Sequence, residues 1–346
     1  MGARAVGLLL GVVADALLGD PRRGHPVAGF GAVAAALERR LYADRRAAGV
    51  GHTAVLVGAA VVLGAVVERV GRGRPIVRTA ATAAATWAVL GGASLAWEGA
   101  ALAAELGRGD LDAARARLPS LCGRDPATLD AGGLARAGVE SLAENTSDAV
   151  VAPLLWGAVA GVPGLLGYRA MNTLDAMVGY RSPRYRRFGW AAARLDDVVN
   201  LVPARVAALL VAAAAPVVGG SPRAALAAWR SDSGAHPSPN AGPVEAAAAG
   251  ALGVRLGGRT VYAHGVEQRP VLGSGDAPGV VDLRRAVRLS RVVGALAALL
   301  AAAIPALRSR AAVFGASKQQ YGSEVRVRGL SGGAAASPAG RSSPGR

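Results

Sequence analysis

The sequence is poor in lysine, cysteine and aromatic residues. Of its 346 residues, only Lys318 is a lysine, only Cys122 is a cysteine, and 4% are aromatic. A single cysteine excludes an intramolecular disulfide, and the histidines are too dispersed for the Cys/His spacing of a structural zinc site. The shortage of aromatic rings leaves few platforms on which single-stranded nucleic acid can stack. We therefore expect no nucleic-acid partner, although the formal net charge is +16.

Two familiar catalytic signatures are also missing. The sequence has no Gly-x-x-x-x-Gly-Lys-Ser/Thr loop for nucleotide phosphates, and residues 1–310 contain no Gly-x-Ser-x-Gly motif of hydrolases. The N-terminal apolar run is similar to a signal peptide, but Asp15 interrupts it. The polar Gly19-Asp20-Pro21 then follows in place of a small-residue cleavage site. The run is therefore predicted to be retained as the first helix.

Long apolar blocks dominate the rest of the chain. Hydrophobic residues make up 52% of it and the mean hydropathy is +0.33. Several blocks approach the roughly 20 residues that a transmembrane helix needs. The candidate spans are Val6–Leu18, Thr53–Val67, Thr79–Trp97, Ala149–Tyr168, Leu201–Gly219 and Val292–Leu307. This pattern predicts an all-α, polytopic transmembrane helical bundle with polar helical segments between the spans. The alternative is a set of buried helices in a large soluble bundle.

The chain is predicted to form one membrane domain over residues 1–310. Residues 311–346 are rich in Gly, Ser, Ala and Arg, a composition that predicts a disordered basic tail. The one strand pattern lies near Thr260–Tyr262.

Two loops that flank the candidate spans are rich in arginine. Because an excess of arginine marks cytoplasmic loops, both are predicted to face the cytoplasm, with an even number of spans between them. The arginines are Arg69, Arg72, Arg74 and Arg78 in one loop, and Arg181, Arg184, Arg186 and Arg187 in the other.

Carboxylates recur at helical spacing before the Ala149 block. Glu140, Glu144 and Asp148 are spaced at i, i+4 and i+8, so a helix places all three on one face. Like charges at that spacing repel. The pattern therefore indicates a bound cation, a basic partner or a solvated helix end.

A second group of residues combines carboxylates with amides. Oxygen ligands of this kind suit a magnesium ion held together with substrate phosphates, and charge at a membrane mouth is costly unless it is paired or functional. The alternative is an interfacial salt-bridge network with Arg194 and Arg205. The group consists of Asn172, Asp175, Asp196, Asp197 and Asn200.

A rigid turn, His236-Pro237-Ser238-Pro239-Asn240, precedes an Ala/Gly-rich helix. His236 is a candidate general base, although a lone histidine is more often structural. Asn240 is a candidate ligand, although asparagine at this place also caps helices.

Taken in order, these segments resemble one family, the CobD/CbiB family of adenosylcobinamide-phosphate synthases in cobalamin biosynthesis. The resemblance covers roughly Val6–Leu307, and five ordered motifs at matching separations rarely arise by chance. The matching stretches are Gly19-Asp20-Pro21 with His25-Pro26-Val27, Glu140–Pro153, Tyr168–Gly189, Arg194–Arg205 and His236–Gly258.

The resemblance implies a multi-pass enzyme of the cell membrane. Its implied reaction is that of an amide-forming ligase, which joins a propionate carboxylate of adenosylcobyric acid to 1-amino-2-propanol or its O-phosphate. ATP and Mg²⁺ are the implied cofactors. The lipid bilayer and other enzymes of the cobalamin pathway are implied as partners.

Roles for individual residues follow from the implied reaction. The candidate catalytic residues are Glu140, Glu144, Asp148 and His236. The candidate metal ligands are Asp175, Asp196, Asp197 and Asn200. The candidates for binding the nucleotide, the aminopropanol phosphate or the corrinoid amides are Asn145, Asn172, Arg184, Arg186, Arg187 and Asn240.

Two other functions remain open. The aspartate pair with its neighbouring arginines also suits a magnesium-dependent membrane prenyl- or phosphotransferase. Asp15 and Arg205, which lie within apolar helices, suit a transporter or a non-catalytic scaffold of the corrinoid pathway.

The order of the motifs poses a topological problem. Glu140–Asp148 precedes the Ala149 block, whereas Asp196 follows it, so a simple crossing would separate them. A single site requires a re-entrant segment, or motifs buried around a polar cavity, an environment that Asp15 also fits.

Overall fold

The computed structural model describes residues 2–21, 24–180, 182–262 and 265–331, with side chains as far as residue 307 except at 261 and 262. Of the residues that the structure describes, 78% are helical, which confirms the all-α prediction. In the described part of the chain the helices are α1 (Ala3–Leu18), α2 (Pro26–Leu41), α3 (Arg46–Val70), α4 (Pro75–Val89), α5 (Gly92–Gly107), α6 (Leu111–Arg117), α7 (Ala131–Thr146), α8 (Ala152–Ala160), α9 (Val162–Val178), α10 (Tyr185–Phe188), α11 (Trp190–Ala214), α12 (Pro222–Asp232), α13 (Ala241–Leu252) and α14 (Val280–Ser331). A π-helix, Ser147–Val151, joins α7 to α8.

Four segments of the described chain are long and apolar enough to cross a membrane. Large side chains on them are exposed, such as Val62 at 62%, Val202 at 69% and Leu299 at 62%. An apolar surface of this kind is stable against lipid rather than water, which indicates a membrane protein. The segments are Arg46–Val70, Pro75–Gly107, Trp190–Val218 and Val280–Leu307, and they contain four of the predicted spans.

The predicted span Ala149–Tyr168 is wrong, because the chain turns back in its middle. It divides at Gly161 into α8, of nine residues, and α9. Gly157 of α8 lies against Leu165 of α9, and Gly161 has a φ of +70°. A Cβ at Gly161 would also lie 2.5 Å from the Glu68 carboxylate. This helical hairpin is the re-entrant segment that a single site requires.

The two arginine-rich loops are predicted to lie on the same side of the membrane. This prediction is wrong if α3 crosses the membrane. At the start of α3, Arg45 and Arg46 line one groove with Arg186 and Arg187. At its end, Glu68 accepts a hydrogen bond from Arg78 of the other loop at 3.0 Å. A helix of 25 residues is about 37 Å long. The two arginine clusters therefore lie at opposite ends of a helix that is long enough to separate them.

Helix α1 packs closely along α4 through glycines four residues apart. A Cβ at Gly7 would lie 2.6 Å from Cβ of Thr82, and one at Gly11 would lie 2.4 Å from Cβ of Thr86. Small residues at this spacing allow two helix backbones to approach. At the end of α1, Oδ2 of Asp15 accepts a hydrogen bond from the Ala93 N–H at 3.0 Å. Asp15 thus caps α5 and does not line the polar cavity described below.

The predicted strand is part of a β-hairpin, β1 (Leu256–Tyr262) and β2 (Gly265–Leu272), which pair antiparallel. Helix α14 continues to Ser331, past the predicted domain boundary at 310. The rest of the predicted disordered tail, 332–346, lies outside the described residues, and that prediction stays a prediction.

Replacing Gly11 with leucine is expected to destabilise the protein by about 1–3 kcal/mol, because the side chain must displace both Thr86 and the backbone of α4. The measurement is the melting temperature of the detergent-solubilised protein. Gly58→Leu on α3 is the matched control, since no atom lies within 4 Å of a Cβ at that position. Equal melting temperatures for the two variants would contradict the close contact of α1 with α4.

Candidate functional site

A polar cavity of about 370 Å³ lies where the helical hairpin, α11 and the β-hairpin meet. Many of the predicted site residues converge on it from distant parts of the sequence, and most of its polar side chains are carboxylates. Its lining is Glu144, Asp148, Asp175, Ala193, Asp196, Asp197, Asn200, Pro237, Ser238, Asn240, Ala241 and Glu267.

The π-helix positions the carboxylates of the first motif. Glu144 lies near the end of α7, and Asp148 lies in the wider turn that follows. Single π-helical turns are frequent at functional sites. Glu144 and Asp148 both line the cavity, whereas Glu140 does not. The predicted face of three carboxylates thus contributes two to the site.

Antiparallel helices α9 and α11 supply the other carboxylates. Asp175 lies near the end of α9, and Asp196 and Asp197 lie in the second turn of α11. The Tyr168 hydroxyl is 2.9 Å from Oδ1 of Asn200, and Nδ2 of Asn200 donates to Oδ2 of Asp196 at 3.0 Å. Both ends of its amide are engaged, so Asn200 positions Asp196, and its predicted role as a metal ligand stays a prediction.

The turn before α13 is fastened to α11 by Asn240. Its Nδ2 donates to the Asp197 carbonyl at 2.8 Å, and its Oδ1 accepts from Arg205 at 3.1 Å. The hydroxyl oxygen of Ser238 instead accepts a hydrogen bond from the Ala241 N–H at 3.1 Å, which satisfies the start of α13. Asn240 therefore fixes the cavity wall rather than capping the helix with its side chain.

Like charges and burial make the cavity favour a cation or a proton. Burial raises the pKa of the Asp148 carboxyl well above its usual range, and the charges of Asp196 and Glu144 raise it further. Burial also raises the pKa of Glu144. The pKa of Asp175 is raised to about 6 by burial first and by neighbouring carboxylates second. Asp148, Glu144 and Asp175 lie outside the four apolar segments.

The donor atoms fit magnesium only as an ion shared with a substrate. Among the residues that the structure describes, no three His, Cys, Asp or Glu side chains are arranged as a metal-ligand group. Mg²⁺ is commonly held by one or two carboxylates, with water and substrate phosphates completing its shell. Oδ1 of Asp196 is buried without a hydrogen-bond partner in the described chain, so it is a suitable donor. The assignment of Asp175, Asp196 and Asp197 to Mg²⁺ stays a prediction.

Glu140 anchors the β-hairpin behind the cavity. It forms a buried ion pair with Arg124, and its Oε1 accepts a hydrogen bond from the Gly257 N–H at 2.7 Å. Its side chain is 2% exposed. These contacts give Glu140 a structural position and leave its predicted catalytic role without support.

His236 also lies behind the cavity wall. Its Nδ1 accepts a hydrogen bond from the Ser238 N–H at 3.1 Å, and its Nε2 is 3.8 Å from the buried Glu245 carboxylate. Burial lowers the pKa of His236, and the charge of Arg269 lowers it further. His236 does not line the cavity, so the structure lends no support to its predicted role as a general base, which stays a prediction.

The remaining predicted amides differ in position. Asn172 interacts with Asp196 beside the cavity. Nδ2 of Asn145 donates instead to the Ser141 carbonyl at 2.9 Å and to its hydroxyl at 3.1 Å. Asn145 is therefore held within α7, away from the cavity lining.

The predicted arginines also separate. Arg184 donates a hydrogen bond to the Glu38 carboxylate at 2.9 Å, and its guanidinium carbon lies 4.1 Å from the centroid of the Tyr42 ring. These contacts hold Arg184 away from the cavity. Arg186 and Arg187 line a neighbouring groove. Arg181 lies outside the described residues.

A family model described as CobD/Cbib protein matches residues 8–290. Curated relatives named cobalamin biosynthesis protein CobD include that of Mycobacterium tuberculosis strain H37Rv, which is 62% identical over 299 residues, 86% of this chain and 95% of the relative. The relative from Rhodobacter capsulatus is 45% identical over 82% of this chain and 92% of its own length. The relative from Geobacter metallireducens is 43% identical over 85% of this chain and 95% of its own length. None of the solved structures matches this chain.

The chain belongs to the CobD/CbiB family. This confirms the resemblance drawn from the five motifs and places the protein in cobalamin biosynthesis, with corrinoid-type substrates. In this member of the CobD/CbiB family the motifs divide into cavity residues and residues that support them.

Two cavity residues had no signal in the sequence. Glu267 lies on an exposed part of β2 and reaches the cavity only because the β-hairpin folds over it. Ser238 lies in the predicted rigid turn, but the sequence signal of that turn comes from its two prolines and does not indicate that the serine lines a cavity. Tyr168, at the end of the predicted span Ala149–Tyr168, contacts Asn200 through its hydroxyl.

Replacing Asp175 with asparagine is expected to raise the melting temperature at pH 8 and not at pH 4. The pKa of Asp175 is about 6 in the folded protein against 3.8 for the free group. The folded state therefore holds the proton more tightly, and its stability falls as the pH rises through this window. Two pKa units correspond to roughly 2–3 kcal/mol. Melting curves in detergent with EDTA measure the effect.

The control for this prediction is Asp112→Asn, since the Asp112 side chain is 97% exposed. An equal gain in both variants, or no gain for Asp175→Asn at pH 8, would contradict the crowding of carboxylates in the cavity.

Glu140→Gln and Glu144→Gln are expected to change stability in opposite directions. The first removes the charge that Arg124 contacts and should cost roughly 3 kcal/mol. The second removes a charge that burial disfavours, so the melting temperature should stay level or rise. A stable Glu140→Gln protein beside an unstable Glu144→Gln protein would reverse the roles assigned to these two residues.

Proposed function

We propose that this protein forms the amide bond between a propionate carboxylate of adenosylcobyric acid and 1-amino-2-propanol or its O-phosphate, in a reaction that consumes ATP and requires Mg²⁺. The observation that carries the proposal is the carboxylate-lined cavity in a member of a cobalamin biosynthesis family. The cavity volume is within the range of small-molecule sites. It suits the amine and the end of a propionate arm, while the much larger corrinoid ring stays at the opening.

The carboxylates suit a positively charged amine. An ammonium group at neutral pH is attracted by Glu144, Asp148 and Asp175, whose mutual repulsion it relieves. An amide nitrogen carries fewer protons than the ammonium from which it forms, so the site must also accept protons. The raised pKa values of Glu144 and Asp148 make these carboxylates stronger proton acceptors than free carboxylates. These two residues are therefore the proposed general bases.

The acyl side of the reaction needs a leaving group. A carboxylate oxygen is lost when the C–N bond forms, and ATP supplies the phosphoryl group with which it departs as phosphate. Mg²⁺, when bound, would neutralise phosphate charge. Asp196 and Asp197 are the proposed residues that hold it, with Asn200 and Asn240 fixing their positions.

The membrane location is part of the proposal. The four apolar segments would anchor the protein in the cell membrane as a multi-pass enzyme. The β-hairpin and the His236–Asn240 turn are polar, and both border the cavity. Substrates dissolved in water would therefore approach from the side on which these segments lie.

Membranes that carry the protein are expected to convert adenosylcobyric acid to the amide when supplied with ATP, Mg²⁺ and aminopropanol or its phosphate. Asp196→Asn or Asp197→Asn should lower the rate by roughly 100-fold, because each removes a charge at the proposed phosphate and metal position. Mass spectrometry of the corrinoid measures the product. Asp112→Asn is the matched control with unchanged activity.

Product formation without ATP, or full activity in both aspartate variants, would overturn the mechanism. Absence of product with either amine and a correctly inserted protein would instead favour a transporter or scaffold. A phosphoryl or prenyl transfer that needs no corrinoid would favour the transferase alternative.

A further inference from the structure

A groove beside the cavity is lined by arginine alone. Arg45 and Arg46, at the start of α3, meet Arg186 and Arg187 of the α10 region across a space of about 490 Å³. More than 130 positions in the sequence separate the two pairs, so the sequence gives no sign that they meet. Four guanidinium groups around one space repel one another unless an anion lies between them.

The pairing of these arginines differs from that of arginines elsewhere in the protein. Arg117 contacts two glutamates, and Arg184 contacts Glu38. In the groove, Arg187 is 3.6 Å from the exposed Asp44 carboxylate. Arg45, Arg46 and Arg186 form no ion pair with any carboxylate of the described chain. Three of the four groove arginines therefore lack a carboxylate partner in the described chain, and the groove keeps an excess of positive charge.

The groove is continuous with the carboxylate cavity. Arg46 and Arg186 also line an adjoining pocket of about 370 Å³, which contains Arg194 and shares Asp197 and Ala193 with the cavity. Two exposed aromatic side chains, Tyr180 and Trp190, line the same pocket. The guanidinium of Arg46 lies over the Trp190 ring, 5.0 Å from its centroid. An anion in the groove thus lies next to the carboxylates.

We propose that Arg45, Arg46, Arg186 and Arg187 form a subsite for the polyphosphate chain of a nucleotide, and that Asp197 marks its border with the amine site. The subsite rests on the proposed function, which requires a phosphoryl donor. A phosphate monoester carries about two negative charges, which two arginines balance. Four arginines match a di- or triphosphate better. Arginine is also the side chain that binds phosphate through paired N–H groups.

The test is binding of inorganic pyrophosphate to the full chain in nanodiscs of zwitterionic phosphatidylcholine, measured by calorimetry. The double variant Arg46→Gln with Arg186→Gln should weaken binding at least roughly tenfold. Lysine at both positions should give an intermediate affinity, because charge remains but paired N–H donation is lost. Arg72→Gln with Arg74→Gln, at the other end of α3, removes the same charge and should leave binding unchanged.

Three outcomes would overturn the subsite. Equal pyrophosphate affinity in the wild type and the glutamine variant is one. Equal weakening in the Arg72/Arg74 control, which indicates a general charge effect, is another. The third is an absence of pyrophosphate binding to the wild type together with loss of bound phosphatidylglycerol from the groove variant, measured by native mass spectrometry. That result would assign the groove to a lipid headgroup.

Failure of the subsite can be told apart from failure of the proposed reaction. Pyrophosphate binding that depends on Arg46 and Arg186, without amide product, would retain the subsite and reject the reaction. Amide product at the wild-type rate in the glutamine variant, checked for folding by its melting temperature, would retain the reaction and reject the subsite.

Discussion

The site exists because the chain reverses at Gly161. The carboxylates of Glu144 and Asp148 precede the apolar α8, and Asp175 lies near the end of α9, so one continuous crossing would hold them far apart. The helical hairpin returns the chain to its starting level, where the Tyr168 hydroxyl lies 3.0 Å from the Asp148 carbonyl. The turn needs a positive φ and space beside Glu68, and glycine meets both requirements. The convergence of the later motifs on α11 depends on this reversal.

The gathered carboxylates oppose folding, and the surrounding structure holds them in place. Asn200 and Asn240 tie α11 to α9 and to the turn before α13, while Glu140 and Arg124 hold the β-hairpin over the cavity. Functional sites often retain repulsion of this kind at the expense of stability. The charge imbalance also has a counterpart nearby, since the arginine groove carries the opposite sign. An acidic and a basic pocket that share Asp197 can bind a cation and an anion side by side.

The fold was predictable from the sequence where apolar length alone decides the structure. Four of the spans were found because a run such as Val292–Leu307 needs no tertiary knowledge. Ala149–Tyr168 failed because hydropathy does not register a reversal at one glycine. The prediction for the arginine-rich loops is wrong for a related reason. Counting spans assigns loops to the correct side of the membrane only when every counted span crosses it. In the site, Asp148, Asp175 and Asp196 were found as polar residues next to apolar blocks. Glu267 and Arg46 were not, because only the three-dimensional packing brings them close.

Polar residues of one sequence motif have two different roles in the structure. Glu140 and Glu144 are one helical turn apart, and the sequence offers no reason to separate them. In the structure Glu140 contacts Arg124 and the Gly257 N–H, whereas Glu144 lines the cavity with other carboxylates and lies near the charges of Arg269 and Arg124. A charge with buried partners stabilises the fold, and a charge among like charges is retained for what it binds. Glu140 belongs to the first class, and Asp148 to the second. The partners of each charge, rather than its place in a motif, therefore decide which residues contact a substrate.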